Sequence, residues 1–389
     1  MSSAIYLDNH ATTPLDPRVL EAMLPYLTEH FGNPSSNHLF GWVAREAVEK
    51  AREEVAALVN ATPEEIIFTG GATESNNLAL LGAARALADR GRHIVSYVTE
   101  HKAVLDPFKV LAGEGFDVTL LPVERDGLHD LGLLERSLRP DTVLVSVMAA
   151  NNEIGVLAPL EEIGALCAER GIVLHTDAAQ ALGKIPVDVR RTRVALASFS
   201  AHKVYGPRGV GALFVRRRPR VPLQPLVHGG GHERGLRSGT LNTPGIVGFG
   251  AACRIAAEEM ASEAQRVRAL RDRFLQAILQ RVPDAVLNGH PERRLPGSLN
   301  LSFPGVEGES ILTHLGDVAV SSSSACTSSL RQPSHVLKAL GLSDEMAYAA
   351  LRFGIGRFNT EDDIVRAAER VGNAVSALRE LGRASASSA

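Results

Sequence analysis

The chain has 389 residues, 45% of them apolar and 22% charged, and a formal charge of −3. Such a balance belongs to a folded globular protein long enough for two domains, and the lack of a basic excess speaks against a nucleic-acid or polyanion binder. No apolar run reaches bilayer length, the opening MSSAIYLDNHATTP carries no signal-peptide pattern, and three scattered cysteines make no disulfide framework, so a cytoplasmic protein is expected.

From Glu65 to Val215 short β-branched runs alternate with helical stretches. IIFT leads into a helix after Gly71, and HIVSYV into one near Ala103. DVTLLPV, TVLVSVM, GIVLHT, ALASFS and GVGALFV follow, several of them separated by apolar-periodic helices such as LEEIGALCAER. This alternation predicts an α/β fold with a mostly parallel sheet covered on both faces, whose ligand site lies at the C-terminal ends of the strands. The short clusters Arg190, Arg191, Arg193 and Arg216 to Arg218 read as solvated strand or loop ends. After Gly245 a long helical stretch leads to shorter strands, SLNLSF and LRFGIG, and to helices through Leu381. A large domain over residues 16–260 is therefore expected, with a smaller α+β domain from residues 1–15 and 261–382 and a disordered small-polar tail at 383–389.

Three strand ends carry residue types that a phosphorylated pyridine needs. In IIFTGGATESNN two glycines turn the chain into a helix start at Ala72 and Thr73, where free N–H groups and a hydroxyl form an anion site. In GIVLHTDAAQ the carboxylate of Asp177 sits at the mouth of the sheet, where a protonated ring nitrogen would partner it and Gln180 would reach a phenolic oxygen. In ALASFSAHKVYGPRGVG, Ser200, His202 and Lys203 follow a strand, and a desolvated lysine there has a lowered pKa and becomes a competent Schiff-base former. Each has an ordinary reading too: a capping Thr73, a capping Asp177, a Lys203 that snorkels to solvent. Their coincidence on one sheet edge points to pyridoxal 5'-phosphate (PLP).

The segments YLDNHATTPLD, FGNPSS, FTGGATESNN, TEHKAVLD, NNEIGV, HTDAAQ, SAHKVYGPRGVGAL, HGGGHERGLRSGT, SSSSACTSS and LRFGIGRFNTEDD together resemble the cysteine desulfurases. The resemblance runs from about Ile5 to Leu381 and implies a fold-type I PLP-dependent transferase of aminotransferase class V. Position by position, it implies that Lys203 carries PLP and moves the substrate Cα proton, that Asp177 keeps the ring nitrogen protonated, and that Gln180 and Asn152 hold the ring oxygen. His101 would stack on the ring and carry protons near the leaving groups. Ala72, Thr73, Ser200 and His202 would hold the phosphate, joined by Thr240 from the second subunit of a homodimer. Arg352 would clamp the substrate carboxylate, with Asn33 beside it.

Of the three cysteines, Cys167 and Cys253 lie in apolar helical stretches and read as small core residues. Cys326 lies in SSSSACTSSLRQP, a stretch too poor in apolar residues to pack, and is expected to be accessible and mobile. By the resemblance it accepts sulfur from bound L-cysteine as a persulfide, leaving L-alanine, and the long form of its segment hands sulfur directly to an acceptor such as an iron–sulfur scaffold or a tRNA-thiolation pathway. Ser323 stands where many relatives have glycine and Ala201 replaces another, and the short stretch after Leu381 puts docking to an iron–sulfur scaffold in doubt. A selenocysteine lyase or related β-lyase is the alternative enzyme, and a silent sulfur-carrier subunit the alternative class. GFGAAC lacks a preceding strand and is a false dinucleotide match. No metal site is expected, although His228, His232 and Glu233 share one glycine-rich loop.

Overall fold

The computed structural model describes residues 4–322 and 332–387, the side chains of the last three excepted. The chain opens with β1 (Ile5–Tyr6), α1 (Pro17–Thr28) and α2 (Leu39–Leu58). The α/β stretch then gives β2 (Ile66–Thr69), α3 (Ala72–Ala86), β3 (His93–Tyr97), α4 (Lys102–Gly113) and β4 (Asp117–Leu121). It continues with α5 (Leu131–Ser137), β5 (Thr142–Ser146), α6 (Leu160–Glu169), β6 (Val173–Asp177), β7 (Leu196–Ser200) and β8 (Gly211–Val215). Seven expected strands form one seven-stranded sheet in the order β2-β8-β7-β6-β5-β3-β4. Its pairs are parallel except those of β8, which runs against both β2 and β7.

Inverting β8 alone leaves β2, β3, β5, β6 and β7 pointing the same way, so their C-terminal ends open on one edge. The central strands are buried along their whole length, whereas edge strand β4 is only partly buried.

The 39-residue α7 (Thr243–Arg281) joins this sheet to the C-terminal part of the chain. Its first half packs on α2, and Gly250 is there because an added Cβ would sit 2.6 Å from the Ala51 Cα. Beyond it come β9 (Val286–Leu287), β10 (Ser298–Ser302), α8 (Gly308–His314), β11 (Val318–Ala319) and β12 (Ser321–Ser322). Next are α9 (His335–Ala339), α10 (Asp344–Tyr348), β13 (Ala350–Gly354) and α11 (Glu361–Ser387). A four-stranded sheet, β12-β13-β10-β9, lies in this part, and β1 pairs with β11. One apolar core contains the central strands with Phe249 and Ala256 of α7. A second gathers Ile5, Leu7, Phe274, Leu301, Phe353 and Val371. Where a disordered tail was expected from residue 383, the helix runs on through Ser387. Once α11 is nucleated on the second core, each further residue adds one backbone hydrogen bond, enough to carry the small-residue RASAS segment.

No helix among the described residues is long and apolar enough to cross a membrane.

Candidate active site

A cleft of about 940 Å³ opens at the shared edge of the parallel strands, and it gathers residues from seven segments far apart in sequence. Ala72, Thr73, His101, Asn152, Asp177, Gln180, Ser200, His202, Lys203 and Arg352 all line it. Two expected members do not. Asn33 closes a turn instead, its Oδ1 accepting from the Ser35 N–H at 2.9 Å, and is absent from the lining. Thr240 is exposed and also absent from the lining within one chain.

At one end of the cleft, α3 begins. Gly71 is its N-cap at φ +147, a backbone conformation that L side chains rarely adopt, so Thr73 lies inside the first turn rather than capping it. The first N–H groups of α3 therefore remain available to an anion. Ser200 and His202 approach the same end from β7 and the short 3-10 turn Ala201–Lys203. His202 Nδ1 lies 3.1 Å from Thr12 Oγ1, and burial, followed by the Lys203 charge, pushes its pKa down to about 4.

Deeper, Asp177 closes β6 with its carboxylate nearly buried. Asn76 Nδ2 donates to Oδ2 at 2.7 Å and the Ala179 N–H to Oδ1 at 3.0 Å, so the acid is fixed by two donors, neither of them charged. Gln180 Nε2 donates to the His10 carbonyl at 2.8 Å. Asn152 lines the cleft, and its Oδ1 is buried without a hydrogen-bond partner.

Lys203 is half-buried and donates to the carbonyls of His10 and, at 2.7 Å, Ala11. Burial first and then the Arg352 charge push its pKa down to about 8, against the pull of Asp8 and Asp177. His101 N-caps α4, its Nδ1 accepting from the Ala103 N–H at 3.1 Å. With Nδ1 so engaged, the neutral ring carries its proton on Nε2, and burial, partly offset by Asp177, lowers its pKa. Arg352 of β13 forms an ion pair with Asp8 at 2.9 Å, donates to Asn152 O at 3.1 Å and to Ser321 Oγ at 3.3 Å, and leaves Nε buried and unpartnered. These contacts pin the guanidinium where it lines the cleft, the kind of group that holds a carboxylate.

Several residues at the site went unread in the sequence: Asp8, His10 and Ala11 of the N-terminal arm, Asn76 on α3, and Lys184, which donates to Gln180 Oε1 at 3.0 Å. For Asn76 a signal existed, since it lies one helical turn after Thr73. The arm carried none, because its partners lie 170 or more residues away.

Cys167 and Cys253 are buried, as expected, and burial pushes both thiols up, Cys167 to about 12. Cys326 and Ser323 lie outside the described residues. Glu233 is committed elsewhere: its carboxylate takes Arg52 at 2.7 and 2.8 Å and the Phe68 N–H at 2.7 Å.

A model of the aminotransferase class-V family matches residues 5–366. The chain is 56% identical over 379 residues to the cysteine desulfurase IscS of Methylobacillus flagellatus, covering 97% of this chain and 93% of that one. It is 54% identical over 378 residues to the cysteine desulfurase of Mus musculus, covering 97% of this chain and 82% of that one. Among solved structures, a NifS-like protein superposes with a TM-score of 0.90 at 40% identity, over 96% of this chain and 99% of that one. SspA in complex with cysteine superposes with a TM-score of 0.81 at 37% identity, over 92% of this chain and 100% of that one.

Proposed function

The chain belongs to the aminotransferase class-V family and is a cysteine desulfurase, and from that premise we propose that its cleft holds PLP on Lys203 and that the sulfur of L-cysteine passes to Cys326. The observation that carries this reading is the grouping, in one cleft, of a lysine with lowered pKa, a nearly buried carboxylate and a glycine-capped helix start. A phosphorylated pyridine fits that set: an anion for the free N–H groups of α3, a ring nitrogen for Asp177, a ring oxygen for Gln180 and Asn152, and an aldehyde for Lys203. When bound, PLP supplies an electron sink that lets the Cα–H bond of a captured amino acid ionise.

The remaining work belongs to the protein. Asp177, held by Asn76 and Ala179, keeps a proton on the ring nitrogen by opposite charge at a nearly buried position. Arg352 fixes the substrate carboxylate and so sets which Cα bond faces the ring. Lys203, once its amine is released, takes the Cα proton and redelivers it. Its pKa of about 8 suits it to both. His101, with only Nε2 free to exchange, serves as the proton carrier at the leaving groups. A thiolate of Cys326 then attacks the substrate Sγ. An S–S bond forms as the Cβ–Sγ bond breaks, the electron pair of that bond returns to Cβ, and protonation there completes L-alanine. The Cys326 persulfide is the form that a sulfur-acceptor protein would take, within a homodimer whose second subunit lends Thr240 to the phosphate end.

The test is direct. Incubation with L-cysteine and no reductant, followed by peptide mass spectrometry, is expected to find one added sulfur on Cys326 and released alanine. Cys326→Ala should retain PLP absorbance and lose cysteine turnover. Alanine release undiminished in Cys326→Ala would overturn the thiol's role and favour a β-lyase acting on its own.

A further inference from the structure

Gln180 has two ways to meet the ring oxygen of a bound cofactor: through its carbonyl, which only accepts, or through its NH2, which only donates. The surrounding contacts decide between them. The His10 carbonyl lies 2.8 Å from one end of the amide and cannot donate, so that end is the nitrogen. The other end, Oε1, then receives Lys184 Nζ at 3.0 Å. Gln180 is nearly buried and lines the cleft, so its second N–H is the group left to present there.

Lys184 is held for this task by the local backbone. The turn after Asp177 closes through Lys184 N and Ile185 N to Ala181 O, at 3.0 and 3.1 Å. Gly183 occupies φ +69, and a Cβ there would meet Val204 Cγ2 at 2.2 Å, so the backbone preceding Lys184 is narrowly determined. The lysine borders a cavity of about 20 Å³ shared with Asn9, His10, Tyr205 and Glu263, room for one water molecule.

We propose that Lys184 is a positioning residue for the desulfurase reaction: by holding Gln180 Oε1 away from the cleft it makes Gln180 an obligate donor to the cofactor's ring oxygen, favouring the anionic state of that oxygen. The inference rests on the reading of the cleft as a PLP site. Burial and the neighbouring Lys203 and Arg352 charges push the Lys184 amine down to about 7 while Glu263 opposes them, and the fully buried His10 faces it from the arm. Above that pH it acts as a neutral donor more than as a charge, so its influence travels through the amide.

The experiment compares the holoenzyme with Gln180→Leu, Lys184→Met and the double variant, without substrate, and reads the pH midpoint at which the visible absorption of bound PLP changes. Losing a donor to the ring oxygen makes the cofactor hold its proton to higher pH. Each single variant is expected to raise the midpoint by about half a unit to one unit, the scale of one hydrogen bond. The double variant is expected to match Gln180→Leu alone. A Lys184→Met midpoint equal to that of the parent, or an equal Lys184→Met shift in the Gln180→Leu background, overturns the proposal while leaving the PLP reading intact. An unshifted Gln180→Leu instead removes Gln180 from the ring oxygen. Should Lys184→Met fail to fold, Lys184→Gln, polar but one bond too short to reach Oε1, is expected to give the same shift and is refuted by the same outcomes.

Discussion

Only a neutral Lys203 can attack an aldehyde, so the pH dependence of cofactor capture by the apoprotein reads its ionisation. With a pKa of about 8, roughly a tenth of the amine is neutral at pH 7, whereas at the ordinary 10.5 the neutral fraction would be about 300-fold smaller. Capture should rise tenfold per pH unit up to about 8 and then level, where an unperturbed lysine would continue to climb beyond pH 10. Burial is the larger cause and the Arg352 charge the second. Replacing Arg352 with methionine removes that charge and also frees Asp8, whose carboxylate favours the protonated amine, so both changes raise the Lys203 pKa. A rise of about one unit, modest for a nearby charge, slows capture at pH 7 about tenfold and leaves it unchanged well above the new pKa. Stopped-flow absorbance of apoprotein mixed with PLP across this range, each rate divided by that of a free ε-amine expressed per neutral amine so that only the ionisation of PLP cancels, makes the measurement. A parent rate that never levels, or an Arg352→Met variant slowed equally at every pH, refutes the reasoning.

Asp8→Ala releases one side of Arg352 and should raise the KM for cysteine about tenfold, while Asp8→Asn, which keeps an oxygen acceptor at 2.9 Å, should retain most of the affinity; steady-state alanine release checks this, and equal effects of the two would contradict it. Glu233→Gln removes the buried counter-charge of the Arg52 guanidinium, leaving it only the exposed Glu49, and should destabilise the fold by about 3 kcal/mol in urea unfolding, with the loop to Arg237 and Thr240 loosening first. Cys167 and Cys253, buried and with raised pKa values, should stay unmodified by iodoacetamide near neutral pH until denaturant is added, which peptide mapping will read.

The sheet was legible because each of its strands is an apolar run ended by glycine, polar or turn residues, and the runs fall where the helices between them permit a right-handed return. Asp177 and Lys203 were legible for the opposite reason: one charged residue ends such a run and the other follows one by three residues, where burial demands a use. What the pattern could not contain was contact across the chain. Lys203 meets the His10 and Ala11 carbonyls, and Arg352 meets Asp8, through packing that no local periodicity encodes. Lys184 sat in plain view four residues after Gln180, yet an i,i+4 pair in an irregular turn carries none of the regularity that marks such pairs on a helix. Composition at the small-polar end of the chain does not register the helix that continues from Ile364, Ala368 and Val371 in the second core through Ser387.

The N-terminal arm imposes an order on biosynthesis. Ile5 pairs with Val318, Asn9 Nδ2 donates to Gly354 O at 2.7 Å, and Asp8 grips Arg352, a partner 344 residues downstream. The arm therefore completes its docking only after these far-downstream partners have been made. At about 5–20 residues per second, its destination is translated only some tens of seconds after it is. Until then the central sheet has its own core, and His10 and Ala11 can already meet Gln180 and Lys203, but the Arg352 that clamps a substrate carboxylate is missing, so cysteine cannot be seated before residue 352 is made.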